Sequence, residues 1–342
     1  VTVSLALIAA SLIPGGAASR TVRASREYLV VAALTPSYEQ MPVIMSSTGR
    51  VERVVDRARS LQSWQARWSP DRSMLAWVGS GGLMVESAGG SAKRLLVAKN
   101  RCTRICVPMS FAWSPDSRRV LVGGAGDQTR RLLVVSVKTG RTVDLVRARP
   151  WTEYVVFGWS PNGRSIAYSR SSGQWGTAKC CRLELVVAKS NGGSPRTLFG
   201  FREPIHDSPV ATWSPDGRSL AFVSEGRESH DPRFAIVDVA GRKLHRITKI
   251  SPMPYEAPAW SPDSRRLAVA AGTRVVTLSR TGGDVRSLGT SGQIVVWSPG
   301  GQITIVRGSH PAQVWASADG SHRARLLFRM PGSQGIFAID PR

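Results

Sequence analysis

Acidic residues are scarce in this chain: 23 Asp and Glu stand against 46 Lys and Arg in 342 residues, for a formal charge of +23. Lysine is scarcer still, with seven residues, so that 39 of the cations are arginines. Such a charge draws phosphates and other polyanions by long-range attraction. The arginines are nevertheless scattered over turns and outer strands, as at Arg118, Arg119, Arg130, Arg131, Arg265 and Arg266. There is no lysine-rich run and no nucleic-acid motif. Nonspecific adhesion to polyanions at low salt is expected, and specific nucleic-acid recognition is not.

Catalytic and metal-binding signatures are missing as well. The five histidines (His206, His230, His245, His310, His322) are dispersed, with no H-x-x-x-H or H-E-x-x-H pair. Gly158 to Gly163 lacks the G-x-S-x-G spacing of a nucleophile elbow. No cofactor or metal is expected. Cysteine is limited to two close pairs, Cys102/Cys106 and Cys180/Cys181. A Cys102–Cys106 disulfide is easy to form, whereas bridging Cys180 to Cys181 closes a strained ring, which leaves cross-pairing or free thiols open. The spacings are not the C-x-x-C pairs of a four-thiolate zinc site.

Sustained 3.6-residue periodicity is absent, which excludes a helical repeat. No apolar run approaches the roughly twenty residues that span a bilayer. Val1 to Ile13 is apolar and uncharged, and Pro14-Gly15-Gly16-Ala17-Ala18-Ser19 follows it. An apolar core ahead of small residues fits a secretory signal peptide cut near Ala18, although the positive n-region is missing. The alternative is a disordered tail. The expected organisation is therefore residues 1–19 as leader or tail and residues 20–342 as one domain. The expected location is secreted or periplasmic.

What is present is a repeat. Trp68-Ser69-Pro70-Asp71 returns at Trp113, Trp159, Trp213, Trp260 and Trp297, at spacings of 45, 46, 54, 47 and 37 residues. Short apolar stretches precede most of the tryptophans, as in Val155-Val156-Phe157, and read as a buried strand. The Ser-Pro-Asp-Gly that follows is a turn: Pro pre-sets φ, Asp accepts backbone hydrogen bonds and Gly takes the left-handed corner. Gly is present at Gly163, Gly217 and Gly301, but Arg72, Ser117 and Ser264 replace it elsewhere. Those three turns should be strained, because only Gly takes positive φ freely. A second strand, then a third and fourth joined by a Gly-containing hairpin, complete each unit. The six motif tryptophans are expected to be structural core residues.

Four antiparallel strands per ~40–45 residues is the signature of an all-β propeller. The repeat W-S-P-D-G-x-x-L-A-F resembles the WD-like propeller repeat of TolB, which also occurs in the propellers of prolyl-oligopeptidase-type peptidases. The resemblance covers roughly residues 60 to 330 and implies a protein-binding, peptide-binding or gating role. Six motif copies allow six blades. The end of the chain, Phe337-Ala338-Ile339-Asp340-Pro341-Arg342, aligns with Phe111-Ala112-Trp113-Ser114-Pro115-Asp116 as a decayed further copy. Seven blades, the last closed by strands from both termini, is the favoured count, with six as the alternative.

Loops held by a rigid scaffold carry function. Three interblade loops are long and rich in acids and aromatics, and bring forward Trp151, Glu153, Tyr154, Glu203, His206, Asp207, Tyr255 and Glu256. Glu153 and Asp207 share a register, six residues before Trp159 and Trp213. These residues are the expected partner-binding rim of a non-catalytic scaffold for a protein or peptide. The alternative is a small-molecule hydrolase or lyase, lactonase-like, using a metal or channel acids. The bland reading of the rim is that its acids neutralise Arg149 and Arg202.

Overall fold

In the computed structural model of the chain, the described residues are 27–33, 40–56, 65–79, 81–98, 110–125, 131–146, 152–172, 182–201, 210–224, 233–241, 243–253, 256–308, 311–318, 324–330 and 335–341. All regular structure among them is β-strand, so no helix there is long and apolar enough to cross a membrane. The apolar segment 1–13 and all four cysteines, Cys102 and Cys106 included, lie outside the described residues.

The strands fall in chain order into groups of four. After β1 (Glu27–Ala33), β2 (Gln40–Ser46) and β3 (Val51–Val54) come β4 (Ala66–Trp68), β5 (Met74–Gly79), β6 (Gly82–Ser87) and β7 (Arg94–Ala98). The next group is β8 (Ser110–Trp113), β9 (Arg119–Ala125), β10 (Arg131–Ser136) and β11 (Thr142–Asp144). It is followed by β12 (Thr152–Trp159), β13 (Ser165–Ser172), β14 (Arg182–Lys189) and β15 (Arg196–Phe201). Then come β16 (Val210–Trp213), β17 (Ser219–Ser224), β18 (Arg233–Asp238) and β19 (Leu244–Ile247). The last full groups are β20 (Ala259–Trp260), β21 (Arg266–Ala271), β22 (Arg274–Ser279), β23 (Arg286–Ser287), and β24 (Ile294–Trp297), β25 (Ile303–Arg307), β26 (Ala312–Ser317), β27 (Arg325–Met330). The last of the described strands is β28 (Gly335–Pro341).

Six antiparallel sheets each take four consecutive strands, β4–β7 through β24–β27. A further four-stranded sheet is composite, in the order β28-β1-β2-β3. Its register sets Val30 opposite Ile339 and Leu29 opposite Asp340, so the two ends of the chain close one blade and cover each other's open edge.

Neighbouring sheets meet face to face through separate apolar clusters. Val155, Phe157 and Ala167 pack on Trp213, Leu220 and Phe222. Tyr28, Val30 and Ile339 of the composite sheet pack on Ile294, Val296 and Phe328. Ile44 and Val55, on its other side, pack on Trp68 and Leu75. All six motif tryptophans are buried, at 2–7% exposure, each in the seam with the preceding sheet. Both faces of a sheet are thus core, which explains the near-continuous apolar runs in the second and third strands.

Polar side chains bind successive first strands, which share no ladder. The Phe111 amide donates to Gln65 Oε1 at 3.0 Å, and the Val156 amide to Ser110 Oγ at 2.9 Å. The Thr212 hydroxyl donates to the Pro258 carbonyl at 2.7 Å. These buried groups are satisfied across a seam, and so fix the stagger of one sheet on the next.

Candidate functional site

Antiparallel order places the Trp-Ser-Pro-Asp turns and the hairpins between third and fourth strands at one end of every sheet. The links from one sheet to the next emerge at the opposite end. The rim expected from sequence belongs to that second face, and five of its residues (Trp151, Glu203, His206, Asp207, Tyr255) lie outside the described residues.

Three members are described, and the structure separates their roles. Glu153 stands on β12 opposite Ser171, half-buried. Tyr154 is a correction: it is 3% exposed, its ring meeting the Tyr168 ring edge-on at 6.0 Å between centroids. It fills the seam between the sheets of β8–β11 and β12–β15 and presents no surface to a partner. Tyr168 beside it has its hydroxyl pushed up to about 12, mainly by burial, with Arg170 opposing. Glu256 precedes β20, and burial raises its carboxyl well above the usual range. A cation placed beside such a carboxyl would favour the ionised form, the proton leaving to water.

The turn face is described in much greater detail. The sixth repeat has Gly300 where the others have Asp or Asn. In the first five the serine hydroxyl donates to the Asp or Asn two residues on, as Ser69 does to Asp71 and Ser160 to Asn162. That side chain's Oδ1 then accepts the amide two residues further, from Arg118, Arg164, Arg218 or Arg265, at 3.0–3.1 Å. Burial opposes ionisation of Asp71, Asp116, Asp216 and Asp263, but these hydrogen bonds outweigh it and hold each carboxyl below its ordinary value.

The turn corner carries positive φ as the sequence demands: 69° at Gly163 and Gly217, 62° at Arg72, 59° at Ser117 and 62° at Ser264. Each non-glycine occupant reaches the turn or strand of the preceding sheet. Ser117 Oγ accepts the Asp71 amide at 3.0 Å, and Ser264 Oγ accepts the Asp216 amide at 2.9 Å. Arg72 pairs with Asp340 of β28 at 3.3 Å. Sequence reasoning caught the strain and missed this compensation, which has no local signal.

A cleft of about 390 Å³ opens on this face between the β16–β19 and β20–β23 sheets, lined by Asp216, Asp263, Ser264, Arg265 and Arg280. Arg280 bridges it, with one nitrogen 2.8 Å from Asp216 Oδ2 and another 2.6 Å from Ser219 Oγ. Among the described residues, no three His, Cys, Asp or Glu side chains gather as a metal-ligand set.

No family model matches the chain. The Tol-Pal system protein TolB of Thioalkalivibrio sulfidiphilus is 46% identical over 66 residues, which is 19% of this chain and 14% of that protein. The crystal structure of TolB from Acinetobacter baumannii superposes with a TM-score of 0.52 at 17% identity, over 80% of this chain and 64% of the other. The chain shares the β-propeller fold of TolB. An oligogalacturonate lyase in complex with manganese shares the propeller fold at a TM-score of 0.57 and 12% identity, covering 84% and 81% of the two chains. The matched segment spans about a seventh of the curated TolB relative, so that relative's partners do not transfer with the fold.

Proposed function

We propose that this propeller is a non-catalytic, extracytoplasmic scaffold whose sheets act as one closed ring and whose linking-loop face binds a protein or peptide with a basic segment. The observation that carries the reading is the placement of two acids, Glu153 on β12 and Glu256 at the entry to β20, on the linking-loop side of a chain with twice as many cations as anions. A basic segment supplies the opposite charge, and a cation beside Glu256 would offset the burial that raises its pKa. Likeness to TolB supports a protein partner, and the apolar segment Val1 to Ile13 supports export.

The test is calorimetric titration with an octa-lysine peptide. Binding is expected, and weakening of at least tenfold in a Glu153→Gln, Asp207→Asn, Glu256→Gln variant that melts like the parent. Unchanged affinity would reduce the rim to a solvated edge. The second reading, a hydrolase or lyase, draws on the fold shared with the manganese-bound lyase. One equivalent of tightly held metal in the purified protein would favour it over the scaffold.

A further inference from the structure

The face opposite the linking loops carries an arrangement that the scaffold reading does not use. Four consecutive sheets, those beginning with β8, β12, β16 and β20, place an arginine at the same register, five residues after the motif tryptophan: Arg118, Arg164, Arg218 and Arg265. All four side chains are exposed and make no ion pair among the described residues. Their backbones are not free to wander, because each amide is held by the Asp or Asn of its own turn.

The turns themselves touch in series. The Asp71 amide binds Ser117, and Asp216 binds Ser264. A Cβ added at Gly163 would stand 3.7 Å from the Pro115 ring, and one at Gly217 3.4 Å from the Pro161 ring. The four arginines therefore ride on one continuous rigid arc.

The acids along that arc are already engaged. Asp116 has Arg119 at 3.6 Å, Asp216 has Arg280 at 2.8 Å, and the second turn of the arc carries neutral Asn162 where the others have Asp. Asp116 also feels Arg118, and Asp263 feels Arg265, so those two arginines are partly offset. None of the four guanidinium groups is locked in an ion pair among the described residues, however, and all four remain exposed as a spaced row. Guanidinium forks match phosphate oxygens two at a time, and a row held at fixed intervals suits a chain with repeated phosphates better than one small anion.

We propose that the turn face binds a flexible, linear phosphodiester polymer through Arg118, Arg164, Arg218 and Arg265, reading its phosphates and not the groups between them. The site is independent of the loop-face rim.

The experiment measures binding of fluorescent poly(glycerol phosphate) by anisotropy at several salt concentrations. The expected result is affinity that falls steeply with salt. An Arg118→Gln, Arg164→Gln, Arg218→Gln, Arg265→Gln variant should lose at least tenfold, and its salt slope should flatten by about 2 to 3, at ~0.7 per phosphate contact on a single strand. A control removes four other exposed arginines, Arg246, Arg274, Arg325 and Arg329, by the same change. Equal losses in both variants would show attraction by net charge alone and overturn the proposal. So would binding to an oligothymidylate or to phosphatidylglycerol vesicles that poly(glycerol phosphate) fails to displace, which would point to base stacking or a lipid surface instead.

Discussion

The carboxylate of Asp340 accepts a hydrogen bond from the backbone amide of Trp68 at 3.0 Å, across 272 residues of sequence. Asp340 is 2% exposed, and its second oxygen faces Arg72 at 3.3 Å. Asp340 occupies the position that serine holds in the six motif copies, so the decayed last copy has traded an intra-turn bond for one to the next sheet. Arg67 lies close enough for the Asp340 charge to offset part of what burial does to its guanidinium, which is held below its usual value.

Asp340→Ala should therefore lower stability by about 2–3 kcal/mol, since it leaves a buried amide and a half-buried arginine without their acceptor. Urea denaturation measures this. Deleting residues 335–342 removes β28 altogether and should lower the melting temperature far more. A truncated chain that melts like the parent would mean that the composite sheet contributes nothing to closure.

Trp213 is 3% exposed between Phe157 and Phe222, and its Nε1 donates to the Gly158 carbonyl at 3.3 Å. Trp213→Ala is expected to cost ~3–5 kcal/mol, and Trp213→Phe markedly less. The check is chemical denaturation of both variants. A stable Trp213→Ala protein would mean the motif tryptophans are not core anchors.

Ser264 separates strain from compensation. Ser264→Gly relieves a positive φ but gives up the bond to Asp216, so the two effects should nearly cancel, to within about 0.5 kcal/mol. Ser264→Ala keeps the strain and loses the bond, and should cost ~1–2 kcal/mol. If both variants behave alike, the positive φ at position 264 carries no weight; if both match the parent, the inter-turn bond carries none.

The turn acids predict a direction of pH dependence. Asp71, Asp116, Asp216 and Asp263 have folded-state pKa values below the ordinary 3.8. Their stabilisation is complete above the unfolded value and is lost as pH falls through the lower folded one. The urea midpoint should be flat from about pH 6 to 5 and decline below about pH 4. Asp116→Asn and Asp263→Asn together should flatten that decline, because Asn162 already performs the same acceptor role without charge. A decline unchanged in the double variant would assign it to other carboxylates.

The strands, their order within each unit, the turn chemistry and the left-handed corners at Arg72, Ser117 and Ser264 were all legible in the residues. Each depends on neighbours within about ten positions, where apolar runs, Pro and Gly act directly on the backbone. Tyr154 shows where that reasoning ends. Its place in a loop-adjacent strand suggested a surface, but a propeller sheet buries both faces, so alternation along β12 could not say whether a side chain was exposed. Closure of one sheet by both termini was expected from the decayed last copy. The bond from Trp68 to Asp340, the partners of the strained corners and the contact of successive turns beneath Arg118, Arg164, Arg218 and Arg265 belong to the tertiary structure alone. They join residues one repeat or a whole chain apart, and only the packing of one sheet on the next decides which of them meet.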